Sequence, residues 1–230
     1  MNARYENGCM TSWYSWPAAR DWTCPRSPGD AYAFHQSLPG YSPTPLVPVP
    51  ELAAELGAGR VLVKDESSRL GLPAFKVLGA SWACRQVLRE HPGAMLVTAT
   101  DGNHGRAVAR MAAHFGVAAT VFVPEVMLPE TAARIADEGA KVVWVDGSYD
   151  DAVRWAAAFA ADHPGRALVQ DTAWAGYEQV PAWIVQGYQT LLDGQHGGIS
   201  HTPREYSTPG ACANGADVLA NAVLRLADQP

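Results

Sequence analysis

The sequence predicts an α/β fold, a parallel sheet with helices on both faces. Three observations carry the prediction. Short apolar runs alternate with longer helix-like segments along the middle of the chain. Those runs are apolar at nearly every position, as strands covered on both faces require. Glycine or proline punctuates most junctions, which is how βαβ units are usually bounded.

The elements follow in order. Residues 1–50 read as an N-terminal arm and connector in which Trp13, Trp16 and Trp22 sit among turn formers without a period. Irregular chain packed on something larger is expected there. The prolines from Pro43 to Pro50 exclude an interior helix and predict an extended connector. A short helix is expected over Glu51–Leu56, stopped at Gly57, and a strand over Arg60–Lys64. Ser67–Pro73 is a loop. Lys76–Glu90 reads as a helix, with Val77, Ala80, Cys84, Val87 and Leu88 near helical spacing and His91-Pro92-Gly93 as its stop. Strands then follow over 94–99, 117–123, 140–145 and 167–170, and helices over 103–115, 129–138, 149–162 and 177–192. No internal repeat of fixed period interrupts them.

After Asp193 the pattern breaks. Residues 194–216 are glycine-bearing and polar where the series calls for a strand, and 217–228 read as helical again, with Val218, Leu219, Ala222, Val223 and Leu226 on one face. The expected organisation is therefore an arm over 1–50, a body over 51–193 with a smaller βαβ unit at about 93–170, and a divergent tail over 194–230. A series that stops after a helix reads as incomplete, with a C-terminal half missing.

Composition narrows the function. Of 230 residues 48% are hydrophobic, enough for a packed core. With 17 basic against 23 acidic residues and a net charge of −6, there is no field for replacing nucleic-acid counterions. No nucleic acid and no membrane partner is expected: no apolar stretch approaches the roughly 20 residues of a spanning helix. Met1–Met10 has no apolar signal core, and Cys9, Cys24, Cys84 and Cys212 are widely spaced without a CxxC pair. Reduced thiols in a cytoplasmic protein are expected. His35, His91, His114 and His163 show no ligand spacing, so no metal is assigned. Neither G-x-S-x-G nor G-x-G-x-x-G occurs in the candidate segments.

In open α/β sheets ligands bind beyond the carboxyl ends of the strands. Three polar segments follow expected strands, and all three are expected on one rim: 64–69 leading into Lys76, 100–105, and 171–174. Only three lysines exist, Lys64, Lys76 and Lys141, so a covalent amine has few candidates. Lys76 stands at a helix start, where the macrodipole disfavours a cation and would depress its pKa toward the neutral amine that a Schiff base needs. Its position alone fits a solvated surface lysine as well. The turn Thr100-Asp101-Gly102-Asn103-His104-Gly105 presents backbone N–H groups to an anion or planar ring. Asp101 can serve as a base and Asn103 as a donor, or Asn103 is an ordinary cap. Asp171 ends a strand, as a rim carboxylate or as the cap of the next helix.

Four segments together resemble one family. Phe34-His35-Gln36-Ser37-Leu38-Pro39-Gly40-Tyr41-Ser42-Pro43-Thr44-Pro45-Leu46 is the first, and Lys64-Asp65-Glu66-Ser67-Ser68-Arg69-Leu70-Gly71-Leu72-Pro73-Ala74-Phe75-Lys76 the second. Thr100-Asp101-Gly102-Asn103-His104-Gly105-Arg106 and Asp171-Thr172-Ala173-Trp174-Ala175-Gly176-Tyr177 complete the set. Their order, spacing and wording resemble diaminopropionate ammonia-lyases. These are pyridoxal-phosphate enzymes of fold type II, the tryptophan-synthase-β-like group. The resemblance runs to Asp193. Threonine dehydratases share the lysine and the Gly-Asn segment but usually carry serine at the position of Asp101.

The resemblance implies pyridoxal 5′-phosphate as cofactor, a small amino-acid substrate and a dimer. Lys76 would carry the cofactor covalently and act as base at Cα. Asn103 would hydrogen-bond the ring oxygen, with Gly102 beside it. Asp101 would be a second base on the opposite face, so both enantiomers would react. Asp171 would bind or polarise the substrate's amino groups. The reaction would be α,β-elimination of 2,3-diaminopropionate to pyruvate and ammonia, the cofactor acting as electron sink. Such a family has a Gly-rich phosphate loop after the helix at 177–192. Here Gly215-Ala216-Asp217 falls in its place with fewer glycines and an acid that would repel phosphate. Weakened or lost turnover through truncation, or through compensating frameshifts between Asp193 and Val218, is the expectation. Two alternatives stay open: a non-catalytic or partner-dependent chain of this fold, and a threonine/serine dehydratase-like lyase.

Overall fold

A computed structural model describes residues 3–6, 9–12, 30–55 and 60–192. Two short strands, β1 (Ala3–Glu6) and β2 (Cys9–Ser12), pair antiparallel. A helix α1 (Ala31–Ser37) follows, capped by Asp30, whose carboxylate accepts from the Ala33 N–H at 3.1 Å. Strand β3 (Leu46–Pro48) pairs antiparallel with β4 (Leu62–Lys64) around α2 (Pro50–Glu55). Pro50 opens α2, where a missing N–H costs no hydrogen bond.

The body alternates. Helix α3 (Lys76–Glu90) leads to β5 (Met95–Ala99), α4 (Asn103–Phe115), β6 (Ala119–Pro124), α5 (Pro129–Ala136), β7 (Lys141–Val145), α6 (Tyr149–Ala161) and β8 (Arg166–Leu168). Helix α7 (Gln179–Tyr188) ends in a 3-10 turn, Gln189–Leu192. The four long-range strands form one parallel sheet in the order β7-β6-β5-β8. Parallel pairing demands a crossover, and α4, α5 and α6 supply them.

Period-two alternation sorts the strand side chains onto two cores. Leu96, Val121 and Val123 pack with α3, α4 and α5, while Val97, Ala99 and Phe122 pack with Ala152, Ala156 and Ala160 of α6. Helices therefore cover both faces, as the sequence predicts. Every residue of β6 is buried, whereas the edge strand β7 exposes Trp144. Among the described residues no helix is long and apolar enough to cross a membrane.

Two expectations are corrected. The arm is not wholly irregular: it contains α1, seated on the body through a fully buried His35. Its Nδ1 lies 2.7 Å from Thr190 Oγ1 and its Nε2 3.0 Å from the Leu78 carbonyl and from Ser81 Oγ. Part of the extended connector is strand β3. The segment 64–69 does not sit on the rim of the four-stranded sheet, because β4 belongs to the separate pair with β3. Its charges pin the approach to α3 instead. Buried Arg69 reaches Glu66 through Nε at 2.7 Å and Nη2 at 2.6 Å, and its Nη2 also donates to Thr44 Oγ1 at 2.7 Å. Lys64 donates to the Thr44 carbonyl at 2.8 Å. The tail from 193, with Gly215 and the helix expected at 217–228, lies outside the described residues.

Candidate active site

Lys76 is the first residue of α3, and Phe75 before it provides no side-chain cap. Its side chain is about one-third exposed, and the amine donates to Asp171 Oδ2 at 2.9 Å. Asp171 stands just beyond the carboxyl end of β8, so the sheet carries the acid and the helix the amine. Helices α3 and α7 approach closely at Gly79 and Gly187. A Cβ on Gly187 would stand 2.4 Å from the Leu78 carbonyl oxygen and 2.8 Å from Gly79 Cα. This approach brings Tyr188 beside Lys76, whose Nζ lies 5.9 Å from the ring centroid.

The expected fall in the Lys76 pKa is not what the surroundings produce. Burial pulls it down, but the hydrogen bond to Asp171 and the nearby Tyr188 and Asp171 oxygens outweigh this, and the net shift is upward. Asp171 mirrors it. Burial alone would raise its pKa, yet the neighbouring His104 and the Lys76 ammonium that donates to it outweigh this and lower it. The pair is thus an ammonium against a carboxylate, not a neutral amine at a bare helix end.

The turn between β5 and α4 supplies the facing wall. Thr100 Oγ1 accepts from the Gly102 N–H at 2.9 Å and the Gly105 N–H at 3.0 Å, which shapes the turn. Gly105 lets α4 press on β5 and β6, since a Cβ there would stand 2.2 Å from Thr100 Cγ2. Asp101 and Asn103 are exposed at the turn. Gly102 is the helix N-cap, and a Cβ there would make only ordinary contact, 3.8 Å from Thr131 Cγ2. Lys76, Asp101, Gly102, Asn103 and Asp171 all line one cavity of about 440 Å³, together with Arg106, Arg134 and Tyr149. Five of the six expected site residues therefore meet in one place, and Gly215 is outside the described residues.

Three further side chains bear on the site, His104 and Tyr149 on the cavity and Gln170 behind it. His104 is buried, and its Nε2 lies 2.8 Å from the Val169 carbonyl. A carbonyl only accepts, so Nε2 carries the proton and Nδ1 is a bare acceptor. Nδ1 sits 3.8 Å from Asp171 Oδ2 and has no hydrogen-bond partner among the described residues. Burial outweighs the pull of Asp171 and lowers the His104 pKa, keeping the ring neutral. Tyr149 opens α6 at the carboxyl side of β7, on the same rim as Asp101, and the strand-end rule points to it. Burial, ahead of the neighbouring acids, raises its pKa, so it remains a phenol. Gln170 is fully buried behind Asp171. No sequence pattern singles it out. Among the described residues no group of three His, Cys, Asp or Glu side chains is placed to hold a metal.

Comparison with known proteins adds an independent line. Residues 38–194 match the family described as pyridoxal-phosphate dependent enzyme. Diaminopropionate ammonia-lyase of Escherichia coli (strain K12) is 41% identical over 181 residues, covering 71% of this chain and 45% of that protein. The same enzyme of Escherichia coli in its apo form superposes with a TM-score of 0.67 at 40% identity, over 71% of this chain and 49% of the other. Its complex with an aminoacrylate-PLP azomethine reaction intermediate gives 0.68 at 43% identity, over 71% and 45%. The chain spans about half the length of the curated relatives it matches.

Proposed function

Because the chain belongs to the pyridoxal-phosphate dependent enzyme family, we propose that its cavity serves α,β-elimination of 2,3-diaminopropionate. One substrate and one water would give pyruvate and two ammonia. The observation that carries the reading is the Lys76–Asp171 contact at 2.9 Å opening on the cavity that Asp101 and Asn103 also line. The similarity to diaminopropionate ammonia-lyases over 71% of the chain supports this choice among reactions of the family.

The donor set fits the cofactor. An aldehyde needs a primary amine, and Lys76 is the lysine on this cavity. A ring oxygen needs a donor, and Asn103 holds an exposed amide there. The bare Nδ1 of His104 and the carboxylate of Asp171 form an acceptor pair suited to an ammonium group. Pyridoxal phosphate, when bound, supplies an electrophilic carbon and a ring that draws away the electron pair left at Cα.

The chain's own residues would do the rest. Lys76 holds the cofactor and takes the Cα proton of one enantiomer. Asp101, on the same cavity, takes it from the other. Asp171 holds the substrate's amino groups and keeps the departing nitrogen close to a proton, which a leaving amine requires. Asn103 and Gly102 seat the ring.

The test is cofactor loading. The full chain is incubated with pyridoxal phosphate, its visible spectrum recorded, borohydride added, and the labelled lysine mapped by mass spectrometry. A single label on Lys76, followed by pyruvate release from diaminopropionate, is the expected result. Label scattered over Lys64, Lys76 and Lys141, or no label, overturns the reading and leaves a relative by fold without turnover.

A further inference from the structure

Gln170 is fully buried, and every polar atom of its side chain is engaged. Its Oε1 accepts from the Ala99 N–H at 2.9 Å, with the Thr98 hydroxyl also within 3.2 Å. Its Nε2 donates to Tyr149 Oη at 2.9 Å and to Asp171 Oδ1 at 3.3 Å. The orientation of the amide is not arbitrary. A backbone N–H can only donate, so the atom facing Ala99 is the carbonyl oxygen, and the NH₂ faces Tyr149 and Asp171. The main chain is held as well: the Gln170 N–H donates to Tyr177 Oη at 2.8 Å, and that hydroxyl donates to the Leu168 carbonyl at 3.0 Å.

These contacts divide the Asp171 carboxylate between two neighbours. Oδ1 meets the Gln170 amide and Oδ2 meets the Lys76 ammonium. An amide donates without bringing a charge, so it fixes the rotation of the carboxylate and leaves its charge for the amine. The same amide occupies a lone pair of Tyr149, so the phenolic proton is directed away from Gln170, toward the cavity or Thr172 Oγ1 at 3.5 Å. Because Oε1 is tied to Ala99, the acid beyond β8 is indexed to the strand that leads into the 100–105 turn.

We propose that Gln170 is a positioning residue of this site, setting the rotation of Asp171 toward Lys76 and the direction of the Tyr149 hydroxyl. This inference rests on the reading of Lys76 and Asp171 as the working pair. It needs no cofactor for its test, so its failure is distinguishable from failure of that reading.

The test is the pH dependence of Lys76 modification by an amine-reactive reagent, read by mass spectrometry on the full chain without cofactor. The titratable groups facing the pair are Tyr188 of α7, Tyr177 ahead of it, His104 of α4, Tyr149 of α6 and Asp101 of the β5–α4 turn. All are kept in both variants used. In Gln170→Met, which keeps the volume and loses the hydrogen bonds, Asp171 swings free. The Lys76 midpoint is expected to fall by about one pH unit, a roughly tenfold rise in reactivity at fixed pH below it. In Gln170→Glu a second carboxylate stands beside Asp171, and the midpoint is expected to rise by a similar amount. A merely structural role would lower the melting temperature and leave both midpoints where they are, and that outcome overturns the proposal. The unmutated chain gives a readout independent of whether either variant folds. The side-chain amide protons of ¹⁵N-labelled Gln170 should shift with pH as Asp171 titrates, and pH-independent shifts overturn the proposal equally.

Discussion

Lys76 Nζ and Asp171 Oδ2 stand 2.9 Å apart although 95 residues separate them in the chain. One comes from the start of a helix and the other from beyond a strand end. The site is therefore formed only when α3 is docked against the sheet.

The first prediction follows from the signs of their shifts. The folded pKa of Asp171 lies below its ordinary value of 3.8, so the pair's contribution to stability is present above that value and lost as pH falls through the folded one. The folded pKa of Lys76 lies above 10.5, so its contribution is present below that value and lost as pH rises through the folded one. Asp171→Asn removes both limits. Its melting temperature should vary less with pH than that of the unmodified chain, most visibly below about pH 4. Parallel profiles for the two proteins would contradict the ion pair as the source.

A second prediction concerns Glu138, which ties the end of α5 to α4. Its Oε1 accepts from Arg106 Nε at 3.0 Å and Arg110 Nη2 at 2.7 Å, and its Oε2 accepts from Arg110 Nε. The Arg110 hydrogen bond, against the opposing effect of burial, holds the carboxyl below its ordinary range. Glu138→Ala leaves two guanidinium groups without their acceptor. A loss of about 1–3 kcal/mol in urea unfolding is expected. Because the pKa is depressed, the native clamp should weaken on acidification and the variant should show less of that loss.

The helix boundaries were legible where the stop is local. Lys76–Glu90 and Asn103–Phe115 match the sequence expectation at both ends. His91-Pro92-Gly93 closes the first, and Gly116, in the left-handed region at φ 70°, closes the second. Helix α1 was not legible, because it is short and its buried face is only Ala31 and His35. What holds it is the far-off set of Leu78, Ser81 and Thr190. The same reason hid the pairing of β3 with β4. In the site, Lys76, Asp101, Asn103 and Asp171 were legible as residues, from motif wording. The direction of the Lys76 shift was not, since it depends on a carboxylate brought in by tertiary structure. Gln170 carries no local signal at all; its role exists only through contacts to β5 and α6.

A third prediction tests the α3–α7 approach. The atoms that a Gly187 side chain would meet, the Leu78 oxygen at 2.4 Å and Gly79 Cα at 2.8 Å, are backbone and cannot rotate away. Gly187→Ala must therefore separate two helices. A cost of about 1–3 kcal/mol is expected, within the range of overpacked cores. Tyr188 would move from Lys76, so Lys76 modification should change as well. Gly93→Ala, where nothing lies within 4 Å but φ is +77°, is the control: it should cost stability through backbone strain alone and leave Lys76 unaffected.

The last prediction concerns how the arm is held. Leu78 offers His35 only a carbonyl, so Nε2–H donates there, and Nδ1 shares a hydrogen bond with the Thr190 hydroxyl. One buried ring thus bridges α1, α3 and the turn after α7. A hydrocarbon side chain leaves the buried Thr190 hydroxyl without its ring partner, while Ser81 Oγ keeps its bond to the Leu78 carbonyl at 3.1 Å. His35→Leu is expected to cost about 1–3 kcal/mol, from the lost ring hydrogen bonds and the buried Thr190 hydroxyl. Limited proteolysis reads the location of the damage. Cleavage should appear first between α1 and β3, with the four-stranded sheet intact, because that sheet buries its own core without α1. Simultaneous loss of both would show instead that α1 is part of one cooperative unit with the cofactor-facing body.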